Sequence, residues 1–179
     1  IASDGAGNAI ATWIHDAGHG TTDPDPDVYF SYYNGAVWSA PQPVTGMGAE
    51  ARFETDPRVT FLSRGVALVT VTQNQLTHDA AVAKDHVSDV VREQEIVGYR
   101  YVAPNAPPGG GLPPGWSRLG KVHDDPVVLP VADGESELPS GVHAQPIVVW
   151  SRDRDQDVAP PCNNDIHAAR FLPAGGFSE

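Results

Sequence analysis

Three segments share one pattern, an apolar run closing on a polar pair. They are Ala9-Ile10-Ala11-Thr12-Trp13-Ile14-His15-Asp16, Ala67-Leu68-Val69-Thr70-Val71-Thr72-Gln73-Asn74 and Pro146-Ile147-Val148-Val149-Trp150-Ser151-Arg152-Asp153. Trp13, Val71 and Trp150 fall in register, and the starts at 9, 67 and 146 lie 58 and 79 residues apart. A second strand follows each: Asp27 to Tyr33, Glu95 to Tyr101 and Asp165 to Phe171, opened by an acid and closed by an aromatic ring. A turn then leads to a third match, Trp38-Ser39, Trp116-Ser117 and Phe177-Ser178. Asp56-Pro57 through Leu62 matches Asp125-Pro126 through Val131, a strand leading into the next apolar run.

Four short strands joined by turns make one antiparallel meander, and such a sheet cannot bury both faces by itself. Stacking sheets around an axis gives every apolar face a partner. The pattern therefore predicts an all-β fold, a partial β-propeller of about three four-stranded antiparallel blades arranged radially. The blades fall at about 1–44, 56–122 and 125–179. By this count the chain opens just before the second strand of one blade and stops at the fourth of another. A pair of β-sandwiches is the competing topology. The apolar runs at 66–71 and 147–150 suit inner strands covered on both sides. Pro41 and Pro43 remove ladder donors and put the first Trp-Ser strand at an edge, outermost in the blade. Trp13 and Trp150, lying within apolar strands, read as core between blades rather than as ligand platforms.

The turn Ser31-Tyr32-Tyr33-Asn34-Gly35-Ala36-Val37-Trp38 resembles a degenerate Asp-box of sialidase-type propeller repeats. That box reads Ser-x-Asp-x-Gly-x-Thr-Trp between the third and fourth strands of a blade. Ser31, Gly35 and Trp38 keep their places; Tyr33 and Val37 depart from the Asp and Thr. The resemblance implies a larger propeller, with the remaining blades of the same parent chain as the first partner. It also raises sialidase chemistry, which uses three arginines, a Tyr/Glu nucleophile pair and an Asp acid. The Phe/Tyr-Arg-Ile-Pro motif of that family is absent, and Arg58, Arg100 and Arg170 form no matching pattern.

Two insertions interrupt the middle repeat. Residues 75–94 include Ala80 to Val87, enough for one or two helical turns but without an amphipathic stripe. Residues 102–115 carry Pro107-Pro108-Gly109-Gly110-Gly111-Leu112-Pro113-Pro114-Gly115, which forms neither helix nor strand. A shorter extension lies around Asp133 to Gly141.

Composition narrows the function classes. At 179 residues and 40% hydrophobic the chain can build a core, and its 18 Gly and 17 Pro make it turn-rich. A net charge of −12 repels nucleic acid and anionic membrane surfaces. No apolar stretch approaches the ~18 residues of a membrane span, so membrane insertion is not expected. The chain begins at Ile1, so a processed or partial product is expected. The acidic balance suits a secreted, extracellular or cell-surface protein. The single Cys162 sits in a Pro/Asn loop with no neighbouring cation to activate it.

Two loops alternate carboxylates: Asp23, Asp25 and Asp27, and Asp153, Asp155 and Asp157. Several hard oxygen donors on one side of a tight loop suit Ca²⁺. Against this, Val28 and Val158 stand where an EF-type loop needs glycine, and aspartate favours turns through its bonds to nearby backbone. The turn role is weighted above the calcium role, and no cofactor is required. His15 and His19 stand four apart, but Gly18 and Gly20 deny them the helix that would aim both at one metal. No catalytic residue is assigned. The expected role is an extracellular, non-catalytic scaffold or binding platform for a glycan or a protein. The alternatives are the propeller of a secreted sialidase-like glycoside hydrolase and a structural unit of a surface layer or filament.

Overall fold

The computed structural model describes residues 1–16, 26–44, 54–74, 94–107, 113–122, 132–153 and 164–178. These residues form three four-stranded antiparallel sheets and no helix. The first sheet is β1 (Ala2–Ser3), β2 (Ala9–Asp16), β3 (Pro26–Tyr33) and β4 (Gln42–Pro43). The second is β5 (Glu54–Ser63), β6 (Val66–Asn74), β7 (Gln94–Val102) and β8 (Gly115–Lys121). The third is β9 (Ala132–Glu137), β10 (Ile147–Asp153), β11 (Asn164–Phe171) and β12 (Phe177–Ser178). In each, spatial order follows chain order, so the fourth strands β4, β8 and β12 lie at an edge.

The register repeats. Trp13 lies opposite Tyr29, Val71 opposite Val97 and Trp150 opposite His167, as aligning the two strands separately predicts. The third and fourth strands close on an aromatic ladder pair in every sheet. Tyr33–Trp38, Tyr101–Trp116 and Phe171–Phe177 have ring centroids 5.4, 5.0 and 5.6 Å apart. Such pairs contribute about 0.5–1.5 kcal/mol each beyond the area they bury.

Because side chains alternate along a strand, equal register means that equivalent residues point the same way. Val71, Val97 and Tyr101 of the second sheet pack on Ile10, Val28 and Phe30 of the first. Trp150, Val148 and Ala169 of the third pack on Ile96 and Val122 of the second, with Phe171 on Leu62 and Leu68. The second sheet thus turns one face to the first and the other to the third. Exposure follows. Ile10 and Leu68 are 0% exposed but their equivalent Ile147 is 46% exposed; Val28 and Ile96 are 0% and 1%, but Ile166 is 74%. Trp150 is buried, whereas Trp13, on the free face of the first sheet, is half-buried.

Four details depart from the sequence reading. A short first strand, β1, completes the first sheet, pairing Ala2 with Ile10 and Ser3 with Ala9. The first strand of the third sheet is Ala132–Glu137, in the stretch read as an extension; the Asp125–Val131 segment matched to it lies outside the described residues. Pairing with β10 marks the described first strand of this sheet. Trp38 makes only an isolated bridge before β4 begins at Gln42. The run at 147–150 is covered on one face only, since Ile147 and Val149 face away from the second sheet. Residues 75–93, most of the first insertion, lie outside the described residues.

The first strands hold the stack together by more than apolar contact. β5 bulges between Thr55 and Arg58, where Asp56 takes φ +50°, and β9 is irregular where it pairs with Trp150 and Arg152. Asp56 accepts a hydrogen bond from the Ser136 N–H and pairs with Arg58 at 2.6 Å. Residues after β9 then reach back to β5: Phe61 N–H donates to Gly141, and His143 N–H donates to Phe61.

Gly98 of β7 marks a close approach between the second and third sheets. A Cβ there would meet two carbons of the Phe177 ring at 2.5 Å. Gly98→Ala is expected to destabilise by about 1–3 kcal/mol in urea unfolding, as overpacked cores do. Combined with Phe177→Leu, it should cost less than the two single changes added, because the residues share one space.

Candidate functional site

An up-and-down meander sends alternate connections to opposite ends of its sheet. The segments joining β2 to β3, β4 to β5, β6 to β7, β8 to β9 and β10 to β11 all leave from one end. One residue of each aspartate-rich stretch is described at that end. Asp27 lies in β3 opposite His15 and is 1% exposed; Asp153 ends β10 opposite Asn164. Asp23, Asp25, Asp155 and Asp157 lie outside the described residues, as do His19 and Cys162. Among the described residues no group of three or more His, Cys, Asp or Glu is placed to hold a metal. The His15 ring sits edge-on to Tyr29, centroids 4.6 Å apart.

The described side chains at this end form a polar row that sequence reasoning missed. Glu54 and Gln73, 0% and 1% exposed, pair across β5 and β6, with the Gln73 Nε2 donating to Glu54 Oε1 at 2.8 Å. Arg118 of β8 donates to Gln73 Oε1 at 3.4 Å, and Lys121 pairs with Glu95. The one signal available was the acid opening each third strand: Asp27, Glu95 and Asp165 stand opposite His15, Gln73 and Arg152. A buried carboxylate costs several kcal/mol unless hydrogen-bonded; the Gln73 amide supplies such a bond to Glu54, and Arg118 in turn holds the amide oxygen.

The opposite end carries the β5–β6 turn, the 103–114 insertion and a network across the first two sheets. The Asp4 carboxylate accepts from the backbone N–H of Ala6 and Asn8, from the Asn8 amide, and from Gly65 N–H in the β5–β6 turn. Burial alone would raise its pKa, but these four donors outweigh that and hold it below the ordinary aspartate value. Gly65 takes φ +69°, lies 3.0 Å from Ala106 at its absent Cβ, and accepts from Ala103 N–H. Asn105 donates to Asn8 and accepts from the Tyr32 hydroxyl at 3.1 Å. Burial, then the charge of Asp4, pushes Tyr32 up to about 12, so its hydroxyl stays a donor at any physiological pH.

Beside this network, between the turn after β3 and the loop after β7, lies a cavity of about 240 Å³. Tyr32, Asn34, Trp38, Tyr101, Pro104 and Asn105 are among its lining, and among the described residues none of its lining is charged. The Asn34 Oδ1 is occupied by Ala36 and Val37 N–H, an Asx-turn at the position of the Asp-box resemblance. Two larger hollows, about 400 and 480 Å³, run along Ile147 on the free face of the third sheet.

Comparison with known proteins finds no matching family model, no matching curated protein and no matching solved structure.

Asp4 sets a pH dependence whose sign is fixed. Its folded pKa lies below the unfolded value of about 3.9, so its stabilisation is complete above that value and is lost as pH falls through the folded pKa. Asp4→Asn is expected to lower stability by about 1–3 kcal/mol at pH 7, through donors left poorly matched. The deficit should shrink toward pH 2–3 in denaturant titrations.

Proposed function

We propose that this chain is a run of three blades of an extracellular β-propeller, acting as a rigid, non-catalytic platform for a glycan or a protein partner. One observation carries the reading: three sheets with the same register, each turning the same face to its predecessor. Radial stacking of that unit is the arrangement that gives each face a cover. Ile166, Ile147 and Trp13 stand at positions whose equivalents are buried in the neighbouring sheets, which supports further blades of a parent chain as the partners of the two free faces. The sialidase-type resemblance of the Ser31–Trp38 turn agrees with this. The aromatic pair that closes that turn recurs in all three sheets.

The platform role draws support from where the chain spends its length. The 75–93 insertion leaves from one end of the sheets and the 103–114 insertion from the other, and loops held on a rigid scaffold are where binding groups concentrate. Ca²⁺ is the ion that the two aspartate-rich stretches would take, with no catalytic task.

Two measurements test the proposal. On the intact parent protein, Ile166→Asp is expected to cost about 3 kcal/mol or more, the penalty of an unpaired charge in a covered interface. A change within ±0.5 kcal/mol would show that nothing covers that face and would remove the propeller reading. A glycan array together with a fluorogenic sialoside should give binding without turnover; turnover would return the protein to the hydrolases.

A further inference from the structure

The cavity beside the Asp4 network has a composition that selects its ligand. Its lining is uncharged among the described residues, so an anionic or cationic ligand finds no counter-charge there. Its walls pair aromatic surface from Tyr32 and Tyr101 with the amides of Asn34 and Asn105. At about 240 Å³ it falls below the ~300–1,000 Å³ of clefts that take drug-sized molecules, and so suits one ring.

The hydrogen-bonding groups left over are those a ring bearing neighbouring hydroxyls uses. Asn34 spends its oxygen on Ala36 and Val37, which fixes the side chain and leaves both amide N–H groups to donate. Tyr32 donates to Asn105 and keeps its oxygen lone pairs as acceptors. The Tyr101 hydroxyl makes no hydrogen bond among the described residues, and burial raises its pKa, so it remains a protonated donor. The aromatic rings are held: Tyr101 packs on Phe30, Tyr32 and Trp116 with centroids 5.2, 5.5 and 5.0 Å away. Pre-set donors, an acceptor and rigid apolar walls bind at low ordering cost.

We infer that the pocket between the β3–β4 turn and the loop after β7 binds a neutral pyranose unit of a glycan. This rests on the platform reading and gives it a site and a ligand class. The site lies at the end of the sheets that carries the β5–β6 turn and the 103–114 insertion. The aromatic faces take the apolar face of the sugar, while Asn34 and the Tyr101 and Tyr32 hydroxyls take neighbouring hydroxyls on its edge.

Saturation-transfer NMR on the intact protein tests this with the methyl glycosides of glucose, galactose and mannose, and with glucuronate as the charged comparison. At least one neutral glycoside should receive saturation, with glucuronate about 10-fold weaker or silent. Asn34→Asp keeps the acceptor that closes the turn and removes the donors; Tyr101→Phe removes only the hydroxyl. Each should weaken binding about 10-fold, one hydrogen bond's worth, with the melting temperature of Tyr101→Phe showing that the fold persists. Silence from all three glycosides, or equal binding in both variants, overturns the assignment. So does saturation on a proline-rich peptide with none on the glycosides. Array binding that survives both variants sinks this pocket alone, whereas the platform reading fails separately, on sialoside turnover.

Discussion

The middle sheet of this protein has two apolar faces, and a neighbouring sheet keeps water from each. A four-stranded meander cannot curl over to cover itself, so its stability is borrowed from the next sheet in line. Fully burying one Val, Leu or Ile side chain is worth about 1.5–3 kcal/mol, and the first two sheets alone close over Ile10, Val28, Phe61, Val69, Val71 and Val97. The remaining features serve that contact. The common register keeps each residue facing the right neighbour, and the Asp56–Ser136 and Asp4–Gly65 bonds fix one sheet's edge or turn against another.

Much of this was legible because strand pairing has a period of two. Aligning the apolar strands on Trp13, Val71 and Trp150, and separately the aromatic-ended strands, fixes which residues lie opposite one another, and the ladders agree. The Trp-Ser positions were legible for the same reason: a large aromatic at the start of a fourth strand has a partner at the end of the third. Of the first strands only β5 was. β1 is two residues long, and β9, Ala132-Asp133-Gly134-Glu135-Ser136-Glu137, has little hydrophobic content and a pairing interrupted by an irregularity.

The candidate sites were less legible still. Buried polar groups announce themselves by partners that are distant in sequence: Asp4 meets Gly65, Asn8 meets Asn105 and Glu54 meets Gln73. No spacing rule brings these together; only the stacking does. The aspartates that stood out in sequence did so by density, a property shared with ordinary turns. Tyr32 and Tyr101, by contrast, looked like plain strand residues, and became polar walls of a pocket only because two sheets meet there.

The backward reach of residues 141–143 onto β5 has a consequence for the protein's life in a crowded solution. A first strand offers a row of bare N–H and C=O groups, the template on which stray chains add as extra strands. In the middle sheet both backbone groups of Phe61 are already spent on Gly141 and His143, and the charged Arg58 stands three residues up the same strand. The protein closes its own selvage at that residue, which leaves a stray chain less of the edge to pair with.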